Sequence, residues 1–465
     1  MHHIAVRRRA LPGRVGAIGL FLGALLGLTF AHASGRAFAE ENVELTKPLL
    51  DATHLPVLLT APDEDVVLRY DVHCVPASEG SEDLPAADSE CDPGGTVFVR
   101  SGMSGPFTAI PLADAGKGES RYAAQVPAAI ARSRRGFSYY AVLRASSGSV
   151  TMTLPPRGAE APHRSLPLGR AVEISLGDHR FGRTHSPDQR VAEARWGSGA
   201  VEVGLEGGTN VAPVGGSSFD VGDDGTVSVL DEVNRRVLRW ARGASAPTSV
   251  SMPVDGTIAD LSVAADGTMY VLEGARLGRG PLVRRLDRSG ALLGIDELPE
   301  RTAAQVRVGP SGPVVLLQPS GQWQPVAAGG TSFSTFAGRA GRVFEGGAEV
   351  VVLRTGNDLR LAIVHGDVVR RSWNVTSATA LGEVQLAEPL GRGLLVVVRA
   401  YTDTEDEFVA LVLGPRGLVR SMSLASADWA ETAPLSRFRL SGAAFYQLGS
   451  TRDGLFVDRF ALGER

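Results

Sequence analysis

The chain has 465 residues, a formal net charge of -4 and a pI near 6.2. This length exceeds what one ordinary hydrophobic core fills, so two folded parts are expected. A nucleic-acid-binding protein typically carries a basic stripe, and the charge balance argues against that class. Lysine occurs only at Lys47 and Lys117, so the basic residues are almost all arginine, a bias typical of high-GC bacterial coding sequences.

The first 39 residues predict an export signal. Arginines at 7–9 precede an apolar stretch at 15–30, and small-x-small cleavage motifs follow at 31–33 and 37–39. A retained membrane anchor is the alternative, but the stretch is about 16 residues long and a spanning helix needs about 20. We therefore expect a signal peptide at 1–39, no integral membrane segment after cleavage, and a secreted or cell-envelope location.

Two cysteines, Cys74 and Cys91, are the only ones in the chain. In an oxidising compartment such a pair predicts a disulfide, which by loop entropy would stabilise the fold by about 3 kcal/mol. The segment between them is acidic, which leaves open a calcium loop, although its spacing follows no calcium-loop pattern. A solvated loop closed by the disulfide is the favoured interpretation.

Residues 41–155 predict a small β-sandwich. Short β-rich runs at 66–74, 96–102, 121–127 and 137–146 are bounded by glycine, proline or acidic clusters. The order RYAAQVPAAI and then FSYYAVLRASSGSVTMTLPP resembles bacterial immunoglobulin-like or fibronectin-like modules. Residues 156–170, rich in proline and small side chains, predict a linker to a second domain at 171–465.

Internal repeats follow the predicted linker. FDVGDDGTVSVLD from Phe219 aligns with LSVAADGTMYVLE from Leu261, and VRVGPSGPVVLLQ from Val306 continues the series. The turn glycines recur at Gly225, Gly267 and Gly312, close to the roughly 40 to 45 residues of a four-stranded propeller blade. A blade has two apolar faces, so stacking blades in a ring buries both.

Later copies keep the strand rhythm and lose the motif, and the last copy contains only three strands. RVAEARW at 190–196 has the alternation to supply the missing fourth strand, beside residues 454–460. The predicted fold class is therefore all-β: a six-bladed β-propeller, closed by its N-terminal strand, preceded by the sandwich.

The first repeat, with the lead-in WGSGAVEVGLEGG at 196–208, resembles NHL-repeat propellers. The matching positions are Asp223 or Asp224 with Gly225 in the turn, then Asp231, Asn234, Arg236 and Val237. The resemblance implies that Asp231 accepts turn N–H bonds and pairs with Arg236 across the strands. The second copy has Glu273 in place of Asp231, and the third has Gln318.

Propellers bind ligands at the mouth of the central channel, where inner strands end. Polar residues on or at the end of predicted inner strands make five candidate ligand-binding residues: Asp220, Arg307, Glu345, Glu388 and Arg439. Glu388 falls in a turn in the register of the other copies. The inner strands of the second and third copies offer no inward-pointing acid in this alignment.

Other candidates have plainer interpretations. Trp323, Trp373 and Trp429 predict core packing between blades, with stacking on sugar rings as the alternative. His179 and His185 flank an arginine-rich loop that predicts a solvated segment, because a zinc site there lacks further ligands.

The sequence predicts an exported, non-enzymatic binding or scaffolding protein whose partner is an unidentified protein or glycan of the extracellular or envelope space. The alternative is a propeller enzyme, a metal-assisted lactone hydrolase or lyase with its site at the channel mouth. No catalytic residue and no cofactor is predicted. A divalent cation such as calcium is left open.

Overall fold

The computed structural model describes residues 49–61, 64–75, 93–115, 121–145, 150–207, 212–254, 256–275, 280–298, 303–317, 322–326, 342–366, 368–431 and 436–463. Within these ranges the chain is all-β, arranged as many small sheets, with one short helix, α1 (Ala128–Ala131). No helix in these ranges is both long and apolar enough to span a bilayer. The predicted signal peptide, Cys91 with its acidic segment, and Gln318 lie outside the described residues.

Ten strands form the first part of the fold. They are β1 (Leu49–Thr53), β2 (Leu59–Thr60), β3 (Val67–Val75), β4 (Gly94–Ser101), β5 (Thr108–Pro111), β6 (Ala113–Asp114), β7 (Arg121–Gln125), β8 (Phe137–Arg144), β9 (Thr151–Leu154) and β10 (His163–Pro167). One sheet has the order β1-β3-β7-β6, and the other has β2-β10-β8-β4-β5 with β9 also on β8. Alternate side chains of both sheets, such as Leu68 in β3 and Leu143 in β8, share one hydrophobic core.

A buried histidine–tyrosine cluster lies in this core. His54 stacks on Tyr70 with ring centroids 4.2 Å apart, and His163 lies 5.5 Å from His54. His54 Nδ1 is 2.6 Å from the Arg69 carbonyl oxygen, and its Nε2 is 2.9 Å from Tyr139 Oη. This arrangement suits a neutral His54 that donates through Nδ1 and accepts through Nε2.

We expect this cluster to make the first part sensitive to acid. Burial lowers the pKa of His54 to about 4, and burial together with the nearby His54 lowers that of His163 to about 3. Below about pH 6.5 the unfolded chain binds protons that the folded chain excludes, so each histidine removes about 1.4 kcal/mol of unfolding free energy per pH unit. Stability is full above pH 6.5 and falls towards pH 4.

Hydrogen exchange of the β3 and β8 amides between pH 6.5 and 5.0 measures this loss. Exchange-derived opening free energies, corrected for intrinsic rates, should fall by about 2 kcal/mol less in His163→Gln than in the wild-type chain. His365→Gln, at the exposed end of a strand in the second part of the fold, is the matched control and should behave as wild type. Equal slopes for wild type and His163→Gln would contradict the prediction.

The segment predicted as a linker contains a strand. β10 pairs antiparallel with β8, with His163 opposite Tyr139, and parallel with β2, with Leu166 opposite Leu59. Its inward-facing positions include His163 and Ser165, both buried. Because these two residues are polar, the sequence lacks the apolar alternation that indicates a strand. The first part of the structure therefore continues through residue 167.

The remaining 24 strands form six sheets in the described chain. Sheet I contains β13 (Ser218–Val221), β14 (Val227–Asp231), β15 (Arg236–Trp240) and β16 (Thr248–Ser251); sheet II contains β17 (Ile258–Val263), β18 (Met269–Glu273), β19 (Leu282–Leu286) and β20 (Leu292–Glu297); sheet III contains β21 (Ala303–Gly309), β22 (Gly312–Leu317) and β23 (Gln322–Pro325). Sheet IV contains β24 (Arg342–Val343), β25 (Ala348–Thr355), β26 (Asp358–His365), β27 (Val368–Thr376) and β11 (Val172–Ser175); sheet V contains β28 (Ala380–Leu390), β29 (Gly393–Tyr401), β30 (Asp406–Gly414) and β31 (Gly417–Ala425); sheet VI contains β32 (Phe438–Ser441), β33 (Ala444–Ser450), β34 (Gly454–Ala461) and β12 (Gln189–Arg195).

Successive sheets pack face to face through apolar clusters. Separate clusters join sheets VI and I, I and II, II and III, IV and V, and V and VI. Every residue of the second strand of sheet I, β14 (Val227–Asp231), is buried, because both faces of this sheet are covered by neighbouring sheets. The first strand of sheet VI, β32, also contacts the first strand of sheet I, β13.

The predicted pairing of the N-terminal strand with the last sheet is confirmed. β12 pairs antiparallel with β34, so that Glu193 lies opposite Phe456 and Arg195 lies opposite Gly454. Arg190 donates from Nε to Asp458 Oδ1 at 2.9 Å across this pair. A strand from the start of the second part thus completes its final sheet.

Residues 172–195, here called the outer strap, follow the outer edges of three consecutive sheets. β11 pairs parallel with β27 in sheet IV, the His185 amide donates to the Ser423 carbonyl in sheet V, and β12 joins sheet VI. His179 Nε2 lies 2.8 Å from Glu407 Oε2, and both side chains are largely buried. His179 was expected in a solvated loop; the structure instead uses it to hold the strap on sheet V.

The junction between sheets III and IV differs from the other five. One face of sheet IV packs on sheet V, and its opposite face, with Val351, Ala362 and Val364, packs on Leu59 and Leu166 of the first part. Ser372 Oγ of the same face donates to the Leu168 carbonyl at 2.7 Å. Among the described residues, the first part therefore covers the face of sheet IV that points towards sheet III.

Candidate functional site

Charged side chains from the first strands of the sheets gather where those strands lie side by side. Asp260 of β17 is fully buried and forms ion pairs with Arg307 of β21 and Arg439 of β32. Ser218 Oγ and Ser436 Oγ donate to Asp260 Oδ1 at 2.5 and 2.7 Å. This channel cluster joins sheets I, II, III and VI through one carboxylate.

The same side chains also bind backbone amides of the neighbouring first strand. The Val263 amide donates to Asp220 Oδ2 at 2.7 Å, and the Val306 amide donates to Asp260 Oδ2 at 2.9 Å. The first strand of each sheet is an edge strand, whose outward N–H groups have no strand partner. The carboxylates of Asp220 and Asp260 therefore provide hydrogen-bond acceptors for edge-strand amides that are shielded from water.

A second ion pair extends the cluster. Arg342 of β24 donates to Glu388 of β28, and the charges of Asp220 and Arg307 also act on Arg342. Burial, and then the nearby Arg307, lowers the pKa of Arg439 to about 10, so it stays protonated at neutral pH. Three guanidinium groups thus balance three carboxylates, and a buried network of this kind is stable only while every member is paired.

The structure brings four of the five predicted residues together. Asp220, Arg307, Glu388 and Arg439 all belong to the channel cluster. Glu388 lies in β28, although the repeat register placed it in a turn. Glu345 lies in a short 3₁₀ segment (Glu345–Gly347) and lines a second surface hollow, which Glu388 also lines.

Asp260 corrects the expectation that the second copy offers no inward-pointing acid. The alignment began at Phe219 and Leu261, and the residues just before these are Ser218 and Asp260, which contact each other. Had each aligned copy begun one residue earlier, the alignment would have placed Asp260 on the inner strand of the second copy. Arg342 was missed because β24 is only two residues long and carries no repeat motif.

The repeat motif has the geometry that the family resemblance implies. Asp231 Oδ2 accepts from Arg236 Nε at 2.8 Å, and Asp231 Oδ1 accepts from the Asn234 amide at 3.2 Å. Within sheet II, Glu273, which replaces the aspartate of the motif, accepts from Arg284 Nε at 3.0 Å. The turn glycines Gly225 and Gly267 have φ of +79° and +86°, a conformation that favours glycine.

A cavity of about 340 Å³ lies beside the channel cluster, at the III–IV junction. Arg307, Arg342 and Glu388 line it together with Trp323, and segment 55–58 of the first part supplies Leu55, Pro56 and Leu58. Its volume falls within the roughly 300 to 1,000 Å³ typical of small-molecule sites, which often form where two structural units meet. None of the described residues that line it is histidine or cysteine.

The tryptophans predicted as core or stacking residues divide between these roles. Trp373 is fully buried, and its Nε1 donates to the Gly414 carbonyl at 2.9 Å, so it is a core residue. Trp323 is half-buried and lines the cavity. Trp429 is exposed beside Trp196, with ring centroids 6.0 Å apart.

Metal ligands do not cluster in the described part of the chain: no three histidine, cysteine, aspartate or glutamate side chains there are arranged to hold an ion. Cys74 lies in β3, and Cys91 lies outside the described residues, so the disulfide stays a prediction.

No protein-family model and no curated protein matches the chain. Several solved structures are similar. A protein of unknown function from Bacteroides caccae has a TM-score of 0.34 at 14% identity over 47% of this chain and 92% of that one. Virginiamycin B lyase from Staphylococcus aureus has 0.34 at 10% over 53% and 94%, and a putative gluconolactonase has 0.25 at 12% over 61% and 96%. At these values the similarity carries no conclusion about activity.

Proposed function

We propose that the chain is an exported, non-enzymatic binding protein whose ligand occupies the cavity at the III–IV junction. In this proposal sheets I to VI are the blades of a closed six-bladed NHL-type propeller, and the first part is an immunoglobulin-like sandwich stapled by a Cys74–Cys91 disulfide. The signal peptide directs the mature chain to the extracellular or envelope space, where its ligand or partner is found.

The cavity is the observation that carries the proposal. It combines a largely apolar wall with a few fixed polar groups, Arg307, Arg342 and Glu388, which is the usual composition of a small-molecule site. These polar groups are held by their own ion pairs, so they are already oriented before a ligand arrives.

The pairing of the channel charges supports binding over catalysis. Asp220, Asp260 and Glu388 each interact with a guanidinium group. Arg307 and Arg439 hold the pKa of Asp260 below its usual range, although burial alone would raise it. A general base needs a pKa near the working pH, and a carboxylate held in the ionised form by two arginines is a weak base.

Native mass spectrometry of the mature chain, after incubation with a low-molecular-weight extract of the envelope, tests this function. We expect a small-molecule adduct on the wild-type chain. Ala387→Phe places a ring in the cavity wall and should abolish the adduct, because Ala387 lines the cavity. Ala291→Phe, on an exposed turn, is the control and should retain it.

Two results would overturn the proposal. The first is the absence of an adduct, or an equal adduct on wild type and Ala387→Phe. The second is conversion of an extract component over many turnovers, lost in Glu388→Gln without a change in melting temperature. That second result would instead establish the propeller enzyme.

A further inference from the structure

We infer that the cavity at the III–IV junction takes a small amphipathic molecule, an apolar body that carries a single anionic group. This inference rests on the proposed binding function and adds the chemical class of the ligand. It follows from three properties of the cavity: the apolar wall, the balance of charge along its lining, and the position of the aromatic side chains.

The wall is mostly aliphatic. Side chains from sheets III, IV and V and from the first part supply it, among them Leu55, Leu58, Leu316, Val352 and Ala387. Leu55 is 78% exposed at the cavity edge. A ligand that covers this leucine would bind more favourably, by about 25 cal/mol for each Å² of apolar surface that is removed from water. A fully polar ligand, such as a simple sugar, would leave this surface unused.

The charged lining has an excess of positive charge. Three arginines, Arg307, Arg342 and Arg354, line the cavity with one carboxylate, Glu388. Arg307 is paired with Asp260, and Arg342 is paired with Glu388. After these two pairs, one guanidinium charge remains along the lining.

Arg354 carries that charge at the exposed rim. It donates to the backbone carbonyls of Gly356 and Leu381, at 3.3 and 3.1 Å, which bear no formal charge. Glu383 also attracts Arg354, but the described residues show no ion pair between the two side chains, and Glu383 Oε2 instead accepts from Gln385 Nε2 at 3.3 Å. An anionic group at the rim therefore meets a guanidinium that can form a charge-assisted hydrogen bond.

Aromatic groups favour a flat or flexible apolar body. Trp323 lines the cavity, and the Arg342 guanidinium lies 5.7 Å from the Trp323 ring centroid and 4.2 Å from that of Phe344. These rings fix Arg342 in the wall and present apolar surface beside it. The cavity volume, at the lower end of the usual range, limits the body to a small molecule.

Two fluorescent probes with nearly the same rings test the class directly. 8-Anilinonaphthalene-1-sulfonate carries one negative charge, and N-phenyl-1-naphthylamine has the same ring system without the sulfonate. Titration of the mature chain should give one site for each probe. The anionic probe should bind at least about tenfold more tightly, the usual value of one hydrogen bond to a charged group.

Single substitutions test which residues determine the affinity for each probe. Arg354→Gln should weaken the anionic probe about tenfold and leave the neutral probe unchanged, because it removes the rim charge and keeps the cavity. Ala387→Phe should prevent binding of both probes. Arg416→Gln, in an exposed turn of sheet V, is the charge-matched control and should bind both as wild type.

The outcomes separate this inference from the proposed function. Equal affinity for the two probes, no effect of Arg354→Gln, or binding that survives Ala387→Phe would each overturn the anionic, amphipathic class. If a natural adduct is nevertheless lost in Ala387→Phe in the mass-spectrometry experiment, the binding function stands with a ligand of another class. If Ala387→Phe changes neither probe binding nor the natural adduct, both proposals fail.

Discussion

Asp260→Ala is expected to lower the free energy of unfolding by about 3 to 5 kcal/mol, the usual cost of leaving buried charges unpaired. The substitution removes the carboxylate shared by Arg307 and Arg439, both of which are buried. It also leaves the Val306 amide without its acceptor. Urea unfolding followed by tryptophan fluorescence and by circular dichroism measures the change.

Asp260→Asn separates charge from hydrogen bonding. An amide can still accept from the Val306 amide, so its effect should be smaller than that of alanine and still well above 1 kcal/mol. Asp223→Asn, at an exposed turn of sheet I, is the control and should stay within about 0.5 kcal/mol of wild type. If Asp260→Ala also stayed within 1 kcal/mol, the channel cluster would not be a stabilising network.

The pH dependence follows from the lowered pKa of Asp260. Burial raises this pKa, but Arg307, Arg439 and the two serine hydroxyls outweigh it and hold the pKa below the ordinary value of 3.8. The folded chain therefore binds this proton less readily than the unfolded chain. The stabilisation is complete above about pH 4 and is lost as the pH falls through the folded-state pKa.

The inner-strand charges show how much of the site the sequence predicts. Asp220, Arg307 and Arg439 follow from strand alternation, because each lies between apolar residues on the first strand of its sheet. Their partners do not follow from it. Which acid meets which arginine depends on the rotation of one sheet against the next, and no local pattern encodes that rotation.

Gly454→Val is expected to separate the outer strap from sheet VI. A Cβ at Gly454 would lie 2.1 Å from the Ala194 carbonyl oxygen in β12, a backbone atom that cannot move away without disrupting the β12–β34 hydrogen bonds. We expect a loss of about 3 kcal/mol, at the upper end of overpacking effects. Hydrogen exchange of the β12 amides should accelerate far more than that of β14.

Gly274→Ala is the matched control, because a Cβ there meets its nearest neighbour, the Thr257 carbonyl oxygen, at an ordinary 3.8 Å. It should leave exchange in β12 unchanged. Unaltered protection of β12 in Gly454→Val would mean that the β12–β34 pair is not needed to hold the strap in place.

The sequence predicts this closing pair better than it predicts the rest of the junctions. Residues 190–196 alternate clearly, and the last copy lacks a fourth strand, so the pairing follows from a count of strands. The N-terminal half of the outer strap was missed because Val172–Ser175 is short and His179 resembles a polar loop residue. The covering of sheet IV by Leu59 and Leu166 was missed because these residues are distant in sequence from sheet IV and lie in the first part, outside the repeats.

The β12–β34 pair also has a consequence for the order in which the chain folds during synthesis. Arg190 and Asp458, partners across this pair, are 268 positions apart. A chain that emerges N-terminus first exposes β12 throughout the synthesis of sheets I to V, with an open backbone edge that another molecule could pair with. The pairing of β12 can therefore form only after β34 has been released, so the sheet that is completed by the earliest strand of the second part is the last one to close.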